Sequence, residues 1–426
     1  MRLVLVMLVS VTVLLGEEPS MLATKVNQNL PKLAELYKHL HANPELSYKE
    51  KESSKKIAEE LSRWGFEVTE QVGGWGVVGL LENGSGPTLM IRADMDALPI
   101  REETGLAFSS QTEQPAMHAC GHDVHMSVFV GTAEVLSQMK DTWSGTLMMV
   151  AQPAEEVGGG AKAMLKDGLF ERFPTPDFAL ALHVSASVPA GRVGMVPGFA
   201  MASVDSIDIT VKGRGGHGAY PHKAKDPIVI ASQLVLALQT IISREIPPLE
   251  PAVLTVGSIH GGTKHNIIPN EVVLQCTLRT YSDEVRSQII DAIKRIANQL
   301  ARAAGLPDSH LPVVSVKNES IPSTYNDPEL TAKVTRSIQM ELGDSNVGTE
   351  PSAMVGEDFG MYGRTDAKVP ICLFWLGAIQ PDLFEASKGD GKPIPGLHTS
   401  RFQPDYQLTI ETGVRAMGTA ALDLLK

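Results

Sequence analysis

Short apolar runs alternate with helix-like segments between residues 76 and 184 of this chain of 426 residues. Strands buried on both faces appear in sequence as continuous hydrophobic runs, and the helices between them provide the crossovers of a parallel sheet. The runs are GVVGLL, PTLMIRADMDA, GTLMMVAQPAEE and FALALHVS, and SVFVGTAEVLSQM and AKAMLKDGLF are the helix-like segments. The alternation predicts an α/β domain around a mixed, largely parallel sheet. A helical pattern precedes it from Asn27 to Trp64 and ends at Gly65.

The pattern changes near Ala202, where VDSIDITVKG alternates apolar and polar residues with a period of two. A helix-like stretch (227–242), two strand-like runs (AVLTVGSIHGG and EVVLQCTLRTY), a helix (SQIIDAIKRIANQLARAAG) and VVSVKN follow. This β-α-β-β-α-β order is typical of a ferredoxin-like α+β unit. After this unit, CLFWLG and a last helix-like segment return to the pattern of continuous apolar runs and helices seen before residue 202. We therefore predict a catalytic domain over 21–202 and 317–426, interrupted by a smaller domain over 203–316.

The N-terminus combines one basic residue, Arg2, with an apolar run from Leu3 to Leu15 and then Gly16, Glu17 and Glu18. The run suits a secretory signal peptide and is shorter than the roughly 20 residues of a membrane span. We predict a leader over residues 1–20 and a secreted or periplasmic protein, with no stable membrane span once the leader is removed. A buried N-terminal helix is the alternative, and no clean A-x-A motif defines the cleavage site.

Charge and cysteine content exclude two further classes. The net charge is −12 and the sequence contains no basic run. Because nucleic-acid binding requires clustered basic residues, a nucleic-acid-binding protein is excluded. Three widely spaced cysteines do not form a disulfide framework. Cys276 and Cys372 lie in apolar strand-like runs and are predicted to be packed core thiols, but Cys120 lies in the His-rich segment MHACGHDVHMS.

Metal-ligand residue types occur at four points: Cys120-Gly121-His122, Glu155-Glu156, His183 and His398. We expect all but the first to follow directly on a strand, and ligands on such loops can converge from distant points of the chain. We expect Cys120 and His122 to lie on one side of an extended backbone, with Gly121 removing side-chain bulk. Each signal alone is weak, but together they predict a metal site.

The number of candidate ligands indicates two ions. Catalytic zinc sites usually have three protein ligands, and two-metal sites can share a carboxylate or a thiolate. The candidates are Cys120, His122, Glu156, His183 and His398. Two adjacent glutamates cannot easily point the same way, so we assign Glu156 to the metal and Glu155 to the attacking water as general base.

Ten segments between Leu36 and Leu424 carry a family resemblance. They are HANPELSYKE, ADMDALP, MHACGHDVHM, QPAEE, LHV, GRGGHGAYPH, GGTKHNIIPNEV, TLRTY, GEDF and GLHTSRF. In this order they resemble the zinc aminoacylase/carboxypeptidase metallopeptidases, within them the amidohydrolases that include hippurate hydrolases, N-acyl-amino acid hydrolases and indoleacetyl-amino acid hydrolases. Many relatives read GSEDF where this chain has VGEDF, so the wall near Glu357 is expected to differ, and many cytosolic relatives have no leader.

The resemblance implies two divalent metal ions held by the five ligands above, with Glu155 as the base. It implies a homodimer formed through the inserted domain, in which His217 supports the oxyanion in the partner subunit's site. Asn266 and Arg279 match positions that hold the substrate's amide and carboxylate, and Asp96 matches a carboxylate that orients a ligand. Zinc or manganese is expected, with cobalt or nickel also compatible.

The expected reaction is hydrolysis of the amide of a small-molecule N-acyl-L-amino acid to a free acid and an amino acid. A dipeptidase or carboxypeptidase on the same scaffold is the close alternative. A non-catalytic binding protein is disfavoured because it has no need of Glu155. His222 is an alternative to His217, and Asp123 is either a hydrogen-bond acceptor beside the ligands or a loop cap. His118 and His125 are expected beside the ligands and not on the metal.

Overall fold

The computed structural model describes residues 19–389, 391 and 393–426. The predicted leader therefore lies outside the described residues, apart from Pro19 and Ser20. The Ser20 side chain caps the first helix by accepting a hydrogen bond from the backbone N–H of Ala23 at 3.0 Å. The helices are α1 (Met21–Ala42), α2 (Lys51–Arg63), α3 (His122–Ser137), α4 (Gly160–Lys166), α5 (Leu169–Arg172), α6 (Pro227–Thr240), α7 (Asp283–Ala303), α8 (Pro328–Leu342), α9 (Pro381–Ala386) and α10 (Tyr406–Leu424).

The strands form one large sheet, one smaller sheet and two short ribbons. They are β1 (Glu67–Val72), β2 (Gly76–Asn83), β3 (Thr88–Asp94), β4 (Gly145–Gln152), β5 (Phe178–Pro189), β6 (Val193–Met195), β7 (Gly198–Met201), β8 (Asp205–Lys212), β9 (Gly216–His217), β10 (Ala252–Gly261), β11 (Ile267–Ile268), β12 (Glu271–Thr280), β13 (Val313–Val316), β14 (Thr324–Asn326), β15 (Val347–Thr349) and β16 (Ile371–Ile379).

The large sheet has eight strands in the order β1-β2-β4-β3-β5-β16-β6-β15. Strands β4, β3, β5 and β16 are mutually parallel, and antiparallel pairs lie towards both edges. Both faces are covered. In β3, Leu89 and Ile91 pack into the core with α1, α3 and α10, while Met90 packs into a second core on the opposite face. The prediction of a mixed, largely parallel α/β sheet is confirmed.

The smaller sheet is antiparallel, in the order β10-β12-β8-β13, and α6 and α7 pack against it. In β8, Ile207, Ile209 and Val211 are fully buried and the residues between them are partly exposed, which is the period of two seen in the sequence. The strand order and the two helices are ferredoxin-like, as predicted. Helix α6 with its π-helical continuation (Pro227–Glu245) is, within the described chain, the one helix long and apolar enough to span a membrane by length and composition.

The two connections between the domains lie side by side. Strand β7 pairs with β14, and Val204 bridges Ile321. Next to this junction the Ser323 hydroxyl donates to the carbonyl of Tyr281, the residue after β12, at 2.7 Å. The end of β12 is therefore held against the catalytic domain, which determines where Arg279 lies.

The helical pattern expected from Asn27 to Trp64 is interrupted once. The structure divides it into α1 and α2, with a loop at residues 43–50. Pro44 explains the break, because a proline restricts the residue before it to extended backbone and has no N–H to donate. Cys276 and Cys372 are buried free thiols in strands, as predicted.

Candidate metal and catalytic site

A cavity of about 670 Å³ opens between the catalytic domain and the end of β12. Its lining brings together Cys120, Glu155, Glu156, His183 and His398, together with Arg279 from the smaller domain. Residues separated by almost 280 positions in the chain, Cys120 and His398, meet here with 3.3 Å between Sγ and Nε2.

The five predicted ligands form two groups that share a sulfur atom. Cys120, His122 and His183 form one group, and Cys120, Glu156 and His398 form the other; within each group the donor atoms lie within 4.8 Å of one another. Cys120 Sγ lies 3.5 Å from His183 Nε2, and His398 Nε2 lies 3.5 Å from Glu156 Oε2. Two three-ligand groups around one thiol are the geometry expected of a two-ion site with a shared ligand.

Unsatisfied buried atoms test whether this donor set suits a cation. His122 Nε2 and Glu156 Oε1 are buried without a hydrogen-bond partner among the described residues, and they lie 3.9 Å apart. Buried polar atoms without partners are rare and costly. Burial raises the pKa of Cys120 well above its usual range and that of Glu156 to about 7, so the anionic forms are disfavoured unless a cation is present. Imidazole, thiolate and carboxylate donors fit a divalent transition metal.

The environment of His122 leads to the same conclusion. Burial opposes its protonation, but Asp94, Asp96 and Glu156 outweigh burial and raise the pKa of His122 to about 10. The negative charge that favours a proton on this ring also favours a divalent cation at its Nε2 atom.

Gly121 determines how Cys120 and His122 are presented. Its φ of 78° is left-handed, and a Cβ atom at this position would lie 2.4 Å from Val184 Cγ2. The expectation that Cys120 and His122 flank an extended backbone is therefore wrong. The chain turns at Gly121 and His122 begins α3, and this turn directs both side chains into the cavity.

Asp96 fixes the turn that carries the two glutamates. Its carboxylate accepts hydrogen bonds from the backbone N–H groups of Glu155 (3.1 Å) and Glu156 (3.0 Å) and from the Ser47 hydroxyl (2.6 Å). Its backbone carbonyl lies 2.8 Å from Nδ1 of His122, while its carboxylate lies 3.5 Å from the same atom. Asp96 thus orients two predicted ligands, His122 through its carbonyl and Glu156 through its carboxylate.

Glu155 belongs to one donor group with His122 and Glu156 and to a second group with Glu357 and Asp358. Burial and the nearby carboxylates of Glu357 and Asp358 raise the pKa of Glu155 well above its usual range. Beneath them, the Arg92 guanidinium lies 2.9 Å from Glu357 and 3.0 Å from Asp358. A buried carboxylate with high proton affinity at the edge of a group of metal-ligand side chains has the properties of a general base.

The two remaining predicted ligands come from different kinds of element. His183 lies within β5, and its Nδ1 is 2.8 Å from the carbonyl of Val184, so its Nε2 faces Cys120. His398 has a φ of 59° and lies in the loop between α9 and α10, held by a backbone hydrogen bond to Ala119 at 2.9 Å. The expectation that each follows a strand is correct for the glutamates after β4. It is wrong for His183, which lies inside β5, and for His398, whose loop reaches the site through that backbone contact.

Sequence reasoning missed part of the polar network beneath the site. His125 Nδ1 lies 2.6 Å from Asp94, and the backbone N–H of Val184 donates to His125 Nε2 at 2.9 Å. This network ties β3, α3 and β5 together, and the only signal for it in sequence is the first aspartate of ADMD, Asp94. Asp123 accepts from His41 at 2.7 Å. His118 is buried, and it belongs to neither ligand group.

The predicted residues of the smaller domain divide into two sets. Arg279 lines the cavity; its Nη1 donates to Thr277 and to the carbonyl of Leu278, and no carboxylate lies within 4.0 Å of its guanidinium in the described part of the chain. His217 lies on β9 of the paired ribbon β9–β11, and Asn266 directly precedes β11; both are exposed and do not line the cavity. The alternative His222 is exposed as well.

The fold and the site together define a metal-dependent hydrolase with a two-ion donor set. The chain belongs to Peptidase family M20/M25/M40, whose sequence profile matches residues 90–387. Within it the similarity is to the amidohydrolase subgroup. The fold is that of the Bacillus subtilis YXEP protein, a dinuclear metal binding peptidase from the M20 family, with 28% identity, coverage of 94% of this chain and 99% of that one, and a TM-score of 0.75.

Curated relatives carry several activities. A hippurate hydrolase of Campylobacter jejuni is 38% identical, over 76% of this chain and 82% of its own length. An N-acetyl-L-cysteine deacetylase of Bacillus subtilis is 37% identical, over 76% of each chain. A thermostable carboxypeptidase of Saccharolobus solfataricus is 38% identical, over 81% of this chain and 85% of its own.

Proposed function

We propose that this protein is an amidohydrolase that cleaves N-acyl-L-amino acids into a free acid and an amino acid, using two divalent metal ions. The observation that carries the proposal is the pair of donor groups around Cys120 with the buried Glu155 beside them. The similarity to a hippurate hydrolase and an N-acetyl-L-cysteine deacetylase supports an N-acyl amino acid as substrate.

Cys120, His122, Glu156, His183 and His398 would hold the ions. Such ions, when bound, polarise the scissile carbonyl and lower the pKa of water. Glu155 accepts the proton of the attacking water, because its raised pKa makes it a strong base, and then delivers that proton to the leaving nitrogen. Asp96 fixes the backbone turn that carries both glutamates, because its carboxylate accepts hydrogen bonds from both of their backbone N–H groups. Zinc or manganese is the proposed metal, and cobalt or nickel is compatible with the same donors.

Arg279 supplies the proposed recognition of the leaving amino acid. Its guanidinium reaches the cavity and has no carboxylate partner within the described residues. A planar guanidinium binds a carboxylate through two parallel hydrogen bonds, which favours acyl-amino acids over simple amides.

We also propose a homodimer formed through the smaller domain, in which His217 and Asn266 act in the partner's site. Both are exposed, His217 on β9 and Asn266 next to β11, and neither lines the cavity of its own chain. Val229 and Leu236 on α6 and Ile259 on the edge strand β10 are large apolar side chains that are 49–73% exposed, a surface that a second copy would bury. Export is proposed from the N-terminal apolar run, and N-terminal sequencing of the protein recovered outside the cytoplasm would test it.

The direct test is hydrolysis of N-acetyl- and N-benzoyl-L-amino acids by protein loaded in turn with each metal. Activity should disappear after chelation and return with the metal. Absence of hydrolysis with every metal and every acyl group would overturn the proposal.

A dipeptidase or carboxypeptidase is the second candidate, supported by the similarity to the Saccharolobus enzyme. Dipeptides in the same panel separate the two functions, since a peptidase must accept a free ammonium beside the scissile bond.

A further inference from the structure

One carboxylate in the cavity has no role in the proposed reaction. His183 on β5, Trp375 on β16 and Gly194 on β6 are register partners, so they form a row on one face of the sheet. The His183 and Trp375 rings have centroids 5.6 Å apart. Glu350 comes directly after β15, and its backbone N–H donates to the carbonyl of Met195 at 2.9 Å.

Gly194 creates the space that Glu350 occupies. A Cβ atom at Gly194 would lie 2.3 Å from Glu350 Cγ and 3.3 Å from Trp375 Cβ. The Glu350 side chain therefore lies over the Gly194 backbone, beside Trp375, and extends the row by one position. Both Glu350 and Trp375 line the same cavity as the predicted metal ligands.

The Glu350 carboxylate has no hydrogen-bond or ion-pair partner among the described residues, and its partial burial raises its pKa. Partial burial without a partner makes the ionised carboxylate less favourable, and a bound cation would remove that cost. The neighbouring Trp375 offers a ring of the type that attracts cations most strongly. An anion beside an indole in a cavity is a suitable receptor for an ammonium or guanidinium group.

We infer that Glu350 and Trp375 form a subsite for the positively charged side chain of the leaving amino acid. The inference rests on the proposed function and narrows its substrate class to N-acyl derivatives of basic amino acids. The segment from Glu350 to Gly356 lines the cavity continuously, and Ser352 in it lies against Tyr281, two residues beyond Arg279. One wall thus presents Arg279 to the α-carboxylate and Glu350 to the side chain of the same amino acid.

Distance selects a terminal cation over an α-ammonium group. Gly194, over which Glu350 lies, is two strands away from His183, and two strand spacings amount to roughly 10 Å. An α-ammonium group next to the scissile bond would remain close to the metal ligands. The end of a four-carbon side chain such as that of lysine can approach Glu350.

The test compares Nα-acetyl-L-lysine with Nα-acetyl-L-norleucine, which has the same carbon chain without the ammonium. The metal-loaded wild-type protein should show a kcat/KM roughly tenfold higher for the lysine substrate, as for a charge-assisted contact. Glu350→Gln should remove that preference and leave the norleucine value unchanged within about twofold. Glu385→Gln, on exposed α9 and outside the cavity, is the matched control and should keep the preference. Equal losses on both substrates in Glu350→Gln, or no preference in the wild type, would overturn the inference.

Binding separates this inference from the proposed function. If no N-acyl amino acid is hydrolysed, the proposed function fails, and calorimetric titration with L-lysine and L-norleucine still tests the subsite. Tighter binding of lysine to wild type, lost in Glu350→Gln, supports the subsite; equal affinities for the two amino acids in the wild type reject it.

Discussion

Glu155 and Glu156 are neighbours in sequence that share one donor group with His122 but differ in their other neighbours. Glu156 faces Cys120 and His398, where a cation would stabilise its charge. Glu155 faces Glu357 and Asp358, whose charges increase its affinity for a proton. Asp96 fixes the backbone of this turn by accepting hydrogen bonds from the backbone N–H groups of both glutamates.

Exchanging each glutamate for glutamine should give two distinct defects. Glu155→Gln should retain both metals and lose on the order of a thousandfold or more in kcat, because no group accepts the proton of water. Glu156→Gln should lose metal, measured by elemental analysis alongside kcat. If Glu155→Gln loses metal and Glu156→Gln retains it, the roles of base and ligand are the reverse of those proposed.

Arg279 should matter only for substrates with a carboxylate. Removing one partner of a desolvated charge pair costs about 2–5 kcal/mol, so Arg279→Ala should lower kcat/KM for an N-acyl-amino acid by roughly a hundredfold. Hydrolysis of the corresponding primary amide, which has no carboxylate, should change much less. Arg336→Ala, at an exposed position on α8, is the control and should affect neither. Equal losses of Arg279→Ala on both substrates would assign Arg279 to the fold.

At the scale of elements, a buried network links the end of α1 to the start of α3. His41 lies 2.7 Å from Asp123, the residue after His122, and 3.1 Å from Glu102 in the loop that follows β3. Burial opposes protonation of His41, but the two carboxylates outweigh it and raise the pKa of His41 to about 9. Burial likewise opposes the charge on Glu102, yet hydrogen bonds from His41 and the loop hold the pKa of Glu102 at about 2.

The network predicts a specific pH dependence of stability. The pKa of His41 is higher in the folded state than its unfolded value of about 6.5, so its contribution is complete below about pH 6.5 and is lost as the pH rises to about 9. Denaturant unfolding of wild type and His41→Phe should therefore show a difference in unfolding free energy that is larger at about pH 6 than at about pH 9.5, by on the order of 1–3 kcal/mol. A difference that does not vary with pH would mean that the pKa of His41 is not raised in the folded protein.

Sequence periodicity predicted the elements better than it predicted their junctions. Continuous apolar runs identify the large sheet, because its strands are buried on both faces. A period of two identifies the smaller sheet, because its strands are buried on one face. The break at Pro44, the left-handed turn at Gly121 and the loop position of His398 depend on single backbone conformations. The His41–Asp123 and Arg92–Glu357 contacts join residues 82 and 265 positions apart, and no local pattern encodes such pairs.

At the scale of the whole molecule, the domain junction places Arg279 at the cavity, whereas His217 and Asn266 of the same domain do not line it. Both of these residues are exposed, on or next to the ribbon β9–β11, and α6 and β10 expose large apolar side chains on the same domain. A second copy that buried this surface would also account for the exposure of His217 and Asn266 outside the cavity of their own chain. If His217 and Asn266 act in catalysis from the partner subunit, the active site is complete only in the dimer.

Mixing two inactive variants tests whether the sites are shared. In a dimer that shares its sites, a His217→Ala chain has an intact Glu155 and receives an intact His217 from a Glu155→Gln partner. Random exchange makes about half of the dimers mixed, each with one complete site of two, so about a quarter of wild-type activity should return. A mixture of Glu155→Gln with Glu156→Gln should recover nothing, because every site then lacks one glutamate, and His222→Ala in place of His217→Ala shows which imidazole acts. Demonstrated subunit exchange without recovery would place the role of His217 within its own chain or outside catalysis.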